Sequence, residues 1–187
     1  YIGGLEPSYP TRVMPINNFI LATEPLGDRA REVLAEPVAV ADSNFVVNYW
    51  RLSEDNRLLF GGGESYGYRF PDILKTTRTP MLKIYPQLAD VKITHAWGGT
   101  LAITMNRMPA LMRPHPNVLA GSACSGHGVA LSTLTGKLLA ETIAGNAEGF
   151  DLLASIPQPR FPGGAALRWP MLVLAMTWYS MRDRLGL

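Results

Sequence analysis

The residues with the clearest chemical potential lie in one segment, Asn117-Val-Leu-Ala-Gly-Ser-Ala-Cys-Ser-Gly-His-Gly-Val-Ala-Leu. Its apolar run, glycine-rich turn and later apolar residues at helical spacing predict a strand, a tight turn and a helix. The first N–H groups of a helix lack helical partners, and the helix dipole adds partial positive charge there. This end therefore suits a phosphate or another electron-rich group. Gly126 and Gly128 would let a flat ligand approach the backbone, and Gly136 would let the helix pack tightly on a neighbour.

This glycine turn has two alternative interpretations. Gly121 and Gly126 have the glycine spacing of a P-loop, but His127-Gly128 stands where Lys followed by Ser or Thr is required. The missing lysine weakens the case for a phosphate-binding module and disfavours nucleoside triphosphates. No G-x-G-x-x-G motif occurs, since Gly61-Gly62-Gly63 fails that spacing. On spacing alone, a purely structural glycine turn is an equal alternative.

Composition narrows the class of protein. With 187 residues, 47% of them hydrophobic, the chain can bury a sizeable core, and its net charge of +2 does not indicate a nucleic-acid surface. The single cysteine, Cys124, excludes an internal disulfide and favours a reducing compartment, so we expect a cytoplasmic protein. The chain begins at Tyr1 without an initiator methionine or a signal core, as if cut from something longer. No apolar run is long enough to span a membrane, and a peripheral contact through Trp169 and Trp178 is the lesser alternative.

The elements that must position the turn follow from the apolar patterning. Thr79 is expected to cap a helix that opens at Pro80, and Gly145 to end the helix that follows the glycine turn. Gly98-Gly99 is expected to break an extended segment. A polar cluster at 53–56 predicts a hairpin. Strands are predicted at 18–23, 45–52, 57–61, 91–103 and 117–120, and helices within 32–42, 71–85, 129–143 and 167–185.

The segment from Gly121 to Glu141, with S-G-H-G-V-A-L and then G-K-L-L-A-E, resembles the C-terminal flavin motif of a known family. That family comprises glycine oxidase, sarcosine oxidase and D-amino-acid oxidase, and within it the resemblance is closest to the gamma-glutamylputrescine oxidases. Further stretches match in order across nearly the whole chain. They are A-T-E-P-L at 22–26, Y-W-R-L-S at 49–53, R-L-L-F-G-G at 57–62, P-Q-L-A-D-V-K-I at 86–93, W-G-G at 97–99 and T-M-N-R-M-P at 104–109.

The resemblance implies an α+β fold with a mixed, largely antiparallel substrate-domain sheet and the returning strand–turn–helix of a Rossmann-like FAD domain. It places the end of an FAD-domain strand at 1–10, half of the substrate domain at 11–114 and the returning strand and helix at 115–147. Residues 148–187 are left as a loop and an apolar helix. The N-terminal half that holds the ADP part of FAD is not in this sequence. We therefore expect that half as a partner, and its absence to leave this chain inactive alone.

The chemistry implied by the resemblance is FAD-dependent oxidation of a C–N bond in an amine or amino acid, with hydride transfer to flavin. Negative charge on the reduced flavin would be stabilised by backbone N–H groups at the positive helix end. His127 is expected to contribute through its backbone rather than as an acid or base. The cofactor-binding residues implied are Ser125, Gly126, His127, Gly128, Val129 and Ala130.

The substrate-side residues implied by the resemblance begin with Tyr49, which matches a position where the family often carries a substrate-facing aromatic. Its hydroxyl could bond a polar substrate group, which also makes it the candidate catalytic residue. An ordinary strand tyrosine is an equal alternative. Trp97 is a second aromatic for which core packing is favoured. Arg51 and Arg107 are candidates for a substrate carboxylate, although arginines are usually solvated.

Two departures from the family pattern bear on the chemistry. Some relatives tether flavin through a cysteine where this chain has Gly99, so FAD is expected to be non-covalent, and Cys124 is expected to be an inert small residue. Some oxidases carry an oxygen-activating lysine on the strand that here reads Gly61-Gly62-Gly63, which leaves the electron acceptor open. A non-catalytic interaction domain that has lost flavin is the alternative from another class.

Overall fold

The computed structural model describes residues 5–65 and 69–185, and these form two compact units. We call residues 17–65, 69–99 and 175–185 the sheet unit, and residues 5–16 and 100–174 the hairpin unit. The predicted boundaries at 10/11, 114/115 and 147/148 concern the complete protein and stay predictions. The expected strand end at Tyr1–Gly4 lies outside the described residues, and residues 5–12 form bends and turns.

The sheet unit is built on a five-stranded sheet whose strand order is β2-β3-β4-β1-β5. The pairs β1–β4, β2–β3 and β3–β4 are all antiparallel. The unit boundary falls within β1 and within β5, so each unit holds part of both strands. The strands are β1 Val13–Thr23, β2 Val40–Ala41, β3 Tyr49–Leu52, β4 Leu58–Ser65 and β5 Ile93–Thr104.

The predicted hairpin is confirmed, with β3 and β4 joined by the polar cluster. Asn56 takes the left-handed conformation that asparagine tolerates, at φ 58°. The Ser53 hydroxyl donates to Asp55 Oδ1 and accepts from the Arg57 N–H. Local side-chain bonds of this kind favour a turn over continued strand.

One face of this sheet carries the core of the unit, which includes Leu21, Leu58, Phe60, Met81 and Leu88. Trp50 and Leu52 of β3 pack against that core, whereas the alternate residues of β3 are exposed. The two-residue period of a strand therefore decides which β3 side chains are available for binding.

The helix α2, Ile73–Ile84, lies within the predicted segment 71–85, but the expectation that it opens at Pro80 with Thr79 as its cap is wrong. Asp72 is the N-cap, since its carboxylate accepts from the Lys75 N–H at 3.0 Å. The Thr79 hydroxyl instead donates to the Lys75 carbonyl from inside the helix. Pro80 also lies inside the helix, where its missing N–H costs one helical bond without ending it.

The expected break at Gly98-Gly99 is also wrong, because β5 is continuous through both glycines. Gly98 serves close packing instead. A Cβ added there would lie 2.5 Å from Cδ1 of Phe19, which is buried. A glycine in a strand marks close approach as often as interruption.

In the hairpin unit, strand β6 (Ala110–His115) pairs antiparallel with strand β7 (Val118–Ser122). The sequence predicted β7 but missed β6. The helices are α3 Gly128–Ile143, α4 Glu148–Ala154 and the first part of α5 Gly164–Leu185, of which α4 was not predicted.

Gly145 ends α3 as predicted, at φ 99°. The Gly145 N–H donates to the Thr142 carbonyl and the Asn146 N–H to the Glu141 carbonyl, a Schellman arrangement.

In the sheet unit the predicted short helix is α1, Ala30–Val33, which starts two residues before the expected segment.

The α+β fold with a largely antiparallel sheet and a separate strand–turn–helix is thus confirmed. Across residues 5–65 and 69–185, no helix combines the length and apolarity that crossing a membrane requires.

The correction at α2 can be tested by stability. We expect Asp72→Ala to lower the free energy of unfolding by about 1 kcal/mol, because it removes the N-cap acceptor. Thr79→Ala should leave the stability unchanged or raise it slightly, because alanine is the better residue inside an exposed helix. Urea unfolding of both variants checks this. A larger loss for Thr79→Ala than for Asp72→Ala would show that α2 starts at Pro80 after all.

Candidate functional site

The predicted site residues fall into two groups, one in each unit, and each group is described by itself. The glycine turn and the start of α3, residues 125–130, lie in the hairpin unit. Tyr49, Arg51 and Trp97 lie in the sheet unit.

The turn between β7 and α3 has an unusual backbone. Ala123, Ser125 and Gly126 all have positive φ, at 61°, 49° and 92°. Such values are uncommon for residues with a side chain and persist where the surrounding structure enforces them. Here both side-chain residues, Ala123 and Ser125, are buried.

Ser125 is the residue that fixes this turn to β5. Its N–H donates to the Ala102 carbonyl at 3.1 Å, and its hydroxyl oxygen accepts from the Thr104 N–H at 3.3 Å. The backbone and the hydroxyl of Ser125 are therefore both engaged by the protein. Its cofactor role stays a prediction, and the contacts give it a positioning role.

The N-terminus of α3 offers free backbone donors. His127 is the N-cap residue, and no side chain caps the helix. The first helical bond runs from the Leu131 N–H to the His127 carbonyl, so the N–H groups of Gly128, Val129 and Ala130 have no helical acceptor. The helix dipole adds partial positive charge at the same end. The His127 side chain is exposed. The backbone N–H of His127 donates to the Cys124 carbonyl, and this bond anchors the turn.

A groove of about 310 Å³ opens beside this helix end. Gly126 and Gly128 line it with bare backbone, and Cys124, a free and partly buried thiol, lies alongside them. The other lining residues come from β5, the end of β7, the turn that follows it and the first turns of α3: Thr100, Leu101, Ala102, Gly121, Ser122, Ala123, Ser125 and Ser132.

Close strand–helix packing is present, but not at the predicted glycine. A Cβ on Gly121 would lie 2.3 Å from Cγ2 of Thr135, so Gly121 is what allows α3 to approach β7. A Cβ on Gly136 would meet no other element of the described residues within 4 Å. Gly136 faces outward on α3, so the expectation that it packs on a neighbour stays a prediction.

Tyr49 stands on the face of β3 that points away from the core, with 37% of its surface exposed. Its cross-strand partner on β4 is Gly61, and a Cβ there would lie 2.1 Å from Cζ of the tyrosine ring. The ring therefore rests directly on glycine backbone. The Tyr49 hydroxyl donates to Oδ1 of Asn18 on β1 at 2.7 Å. Burial of the ring raises the pKa of Tyr49, so the phenol remains protonated at neutral pH.

The Gly61-Gly62-Gly63 run forms a β-bulge. The register between β1 and β4 shifts between Asn18 and Ile20, and β4 carries the extra residue. Gly63 has φ 73°, which a glycine adopts without strain. Its carbonyl accepts from Nδ2 of Asn18 at 3.4 Å. The bulge thus aims a backbone acceptor at the same asparagine that holds Tyr49.

The remaining predicted residues are placed less specifically. Arg51 is exposed on β3 and lines a groove of about 600 Å³ that also includes Glu36 and Glu54. Trp97 is about half exposed, at 47%, so it does not lie in the core of the described sheet unit, and its role stays a prediction. Arg107 belongs to the hairpin unit, in the turn after β5, with φ 63°.

Comparisons with known proteins decide the family. The profile of the family described as FAD dependent oxidoreductase matches residues 2–142, which is most of the chain. The chain belongs to this family of FAD-dependent oxidoreductases. FAD is accordingly the cofactor of the family, and the resemblance drawn from the motifs is confirmed.

Two curated relatives of this FAD-dependent oxidoreductase chain match along nearly its whole length. A probable oxidoreductase OrdL of Rhizobium meliloti is 48% identical over 98% of the chain, which covers 43% of the relative. The gamma-glutamylputrescine oxidoreductase of Escherichia coli is 42% identical over 100% of the chain and 44% of its own length. The chain therefore spans less than half the length of these relatives.

Solved structures of other enzymes share the fold. Iminodiacetate oxidase from Chelativorans aligns with a TM-score of 0.59 and 22% identity, over 73% of this chain and 37% of the other. L-proline dehydrogenase from P. horikoshii gives a TM-score of 0.57 and 22% identity, over 71% and 36%. At this identity the likeness supports the fold alone.

Three contributors to the site were missed from the sequence: Asn18, Gly61 and Thr104. Asn18 interrupts an apolar strand run, which is a signal that a partly buried polar side chain needs a partner. Gly61 was considered as part of a failed nucleotide motif and as a position without the lysine of some oxidases, and its contact with Tyr49 was not anticipated. Thr104, which holds Ser125, carries no local signal because its partner is 21 residues away.

The contact between Tyr49 and Gly61 generates a stability prediction. We expect Gly61→Ala to lower the free energy of unfolding by about 1–3 kcal/mol, because the new methyl group overlaps the ring. In a Tyr49→Ala background, Gly61→Ala should lower the free energy of unfolding by clearly less, because the ring is gone. Gly99→Ala is the matched control in β5, where a Cβ meets nothing within 4 Å. Equal losses for Gly61→Ala and Gly99→Ala in urea unfolding would contradict the contact.

Proposed function

We propose that a longer protein containing this chain is an FAD-dependent oxidoreductase that oxidises a C–N bond of an amine or amino acid. The chain would supply the turn that faces the isoalloxazine ring and much of the substrate-binding sheet. The observation that carries the proposal is the uncapped N-terminus of α3 beside the open groove at Gly126 and Gly128, in a chain of this family.

The residues at that end of α3 fit a flat, electron-rich ligand. Gly126 and Gly128 present backbone without side chains, and the N–H groups of Gly128, Val129 and Ala130 are free to donate. When bound, FAD would supply the hydride acceptor for the amine carbon. The chain's own part is to hold donors and a positive helix end against the side of the ring that gains charge. These groups are fixed before the reaction by the bonds of Ser125 to β5.

The substrate we propose is an amine of the gamma-glutamylputrescine class. Support comes from the 42% identity to the gamma-glutamylputrescine oxidoreductase of Escherichia coli. Tyr49 is the proposed substrate-side and catalytic residue, because it is the exposed aromatic with a fixed hydroxyl on the open face of β3. Arg51 and Trp97 are proposed beside it on the basis of the resemblance and their exposure.

We further propose that FAD is held without a covalent bond. Gly99 stands where some relatives carry a tethering cysteine, and it has no side chain to attach. Cys124 is the chain's single cysteine, and it is proposed to be an inert small residue of the turn. A reducing, cytoplasmic setting remains part of the proposal.

The proposed partner is the N-terminal half of the longer protein. The exposed face of α3 carries an uncharged row of residues, and Val129 and Ile143 are 96% and 79% exposed on it. The row comprises Val129, Ser132, Thr133, Gly136, Ala140 and Ile143. More than half the length of the curated relatives lies outside the aligned region, which is enough chain to cover this face. FAD's pyrophosphate also needs its own glycine turn and helix N-terminus, which that half would provide.

The function is tested with the longer protein and with the 187-residue chain side by side. We expect the longer protein to be yellow, to release its colour into solution on acid precipitation, and to lose its visible absorbance on anaerobic addition of gamma-glutamylputrescine. The chain alone should bind FAD more weakly than about 1 μM, because one contact region must offset the cost of ordering the ligand. Flavin fluorescence titration measures this affinity.

Each outcome of that comparison has a distinct meaning. Colour that stays in the acid pellet would contradict the non-covalent assignment at Gly99. Tight stoichiometric binding by the chain alone would contradict the division between the two halves. A longer protein that folds but takes up no FAD would favour a non-catalytic interaction domain.

A paired substitution tests the backbone role of the turn. In the longer protein, Gly126→Ala should raise the dissociation constant of FAD about tenfold, because a side chain at φ 92° strains the turn that aims the donors. His127→Ala should change it by less than about twofold, because its contribution is expected through the backbone. If His127→Ala weakened FAD binding as much as Gly126→Ala does, the imidazole would have a direct role. Circular dichroism of both variants controls for folding.

A further inference from the structure

The side-chain amide of Asn18 is bonded on both sides, and this fixes its orientation. Its Nδ2 donates to the Gly63 carbonyl at 3.4 Å, and its Oδ1 accepts from the Tyr49 hydroxyl at 2.7 Å. A backbone carbonyl can only accept, so the amide nitrogen must face Gly63. The amide oxygen must then face Tyr49.

The orientation of the Asn18 amide decides whether the Tyr49 hydroxyl can donate to a ligand or can only accept from it. A phenol has one proton to donate, and here that proton is engaged by Asn18. The hydroxyl oxygen keeps lone pairs that can accept. Burial raises the pKa of Tyr49, so the group stays a neutral phenol with this polarity through the ordinary pH range. A ligand that reaches the hydroxyl therefore finds an acceptor.

The β4 bulge positions the backbone groups that fix the hydrogen-bonding direction of the Tyr49 hydroxyl. A regular ladder would direct the Gly63 carbonyl along the strand pairing, whereas the extra residue and the φ of 73° free it to bind a side chain. Gly61, two residues earlier, holds the tyrosine ring in place by offering no Cβ. The three glycines and Asn18 thus set both the position and the hydrogen-bonding direction of Tyr49.

We propose that Tyr49 binds its ligand as a hydrogen-bond acceptor, and so recognises the N–H of a substrate amine rather than a carboxylate, with Asn18 as its positioning residue. The inference takes the class of substrate from the proposed function. It adds that the amine end of the substrate is the part that meets β3. An amine N–H is a donor in the neutral and in the protonated state, so both states satisfy this acceptor.

The test uses the complete protein and two small probes of matched length and opposite hydrogen-bonding character, butylammonium and butyrate. Calorimetry gives the dissociation constant of each probe for the wild type, Asn18→Leu, Tyr49→Phe and the double variant. Leucine resembles asparagine in size but accepts no hydrogen bond, so it frees the phenol proton to donate.

We expect the wild type to prefer butylammonium, and Asn18→Leu to shift the ratio of the two dissociation constants about tenfold toward butyrate. Tyr49→Phe should remove the preference by itself. In the Tyr49→Phe background, Asn18→Leu should change the ratio by less than about twofold, since the hydroxyl through which it acts is gone. Should Asn18→Leu not fold, the loss of preference in Tyr49→Phe still decides the outcome, because this ring is partly exposed and keeps its shape.

Several results would overturn the inference. They are an equal weakening of both probes by Asn18→Leu, an unchanged preference in Tyr49→Phe, or no measurable binding of butylammonium. The proposed function fails separately, through absent flavin absorbance in the same preparation. The titration still decides the inference in that case, because it measures the heat of probe binding rather than turnover.

Discussion

Tyr49 rests on the backbone of Gly61 so closely that a Cβ at that position would fall 2.1 Å from the ring. Much of this molecule depends on the same constraint, which is that a side chain packs where another residue has none. Thr135 approaches β7 over Gly121, and Phe19 approaches β5 over Gly98. In each case the missing Cβ allows two backbone elements to meet at a distance that any other residue would prevent. Gly61 thus sets the position of the Tyr49 ring, and Gly121 sets how closely α3 approaches β7.

The left-handed turn before α3 is a second backbone feature, and it shapes the end of the helix that is proposed to meet the cofactor. Three residues with positive φ bring the chain from β7 into the helix with its first N–H groups uncapped. The bonds of Ser125 to Ala102 and Thr104 hold that conformation from behind. The turn is therefore rigid on the protein side and open on the groove side, which is the arrangement that preorganised charge stabilisation requires.

The sequence predicted the parts of this structure that local chemistry controls. The hairpin at 53–56, the turn and helix from the glycine motif, and the end of α3 at Gly145 follow from residue types within a few positions of one another. The errors arose where a distant partner changes the meaning of a residue. Gly98-Gly99 looked like a break because the Phe19 ring, far away in sequence, was not in view. Thr79-Pro80 looked like a helix start because the Asp72 cap and the tolerance of α2 for an internal proline could not be judged locally.

The site shows the same division. The residues of the turn and Tyr49 could be named from their motifs, whereas Asn18 and Thr104 act through contacts across 31 and 21 residues. The triple glycine of β4 has an evolutionary consequence as well. The resemblance places an oxygen-activating lysine of some oxidases on this strand, but a side chain at Gly61 meets Tyr49, one at Gly62 meets Asn48, and one at Gly63 meets Thr76 at a positive φ. A lysine at Gly61 would displace the Tyr49 ring, and one at Gly63 would have to adopt a φ of 73°. If Tyr49 meets the amine as proposed, a change of electron acceptor through this strand would also move the residue that receives the substrate.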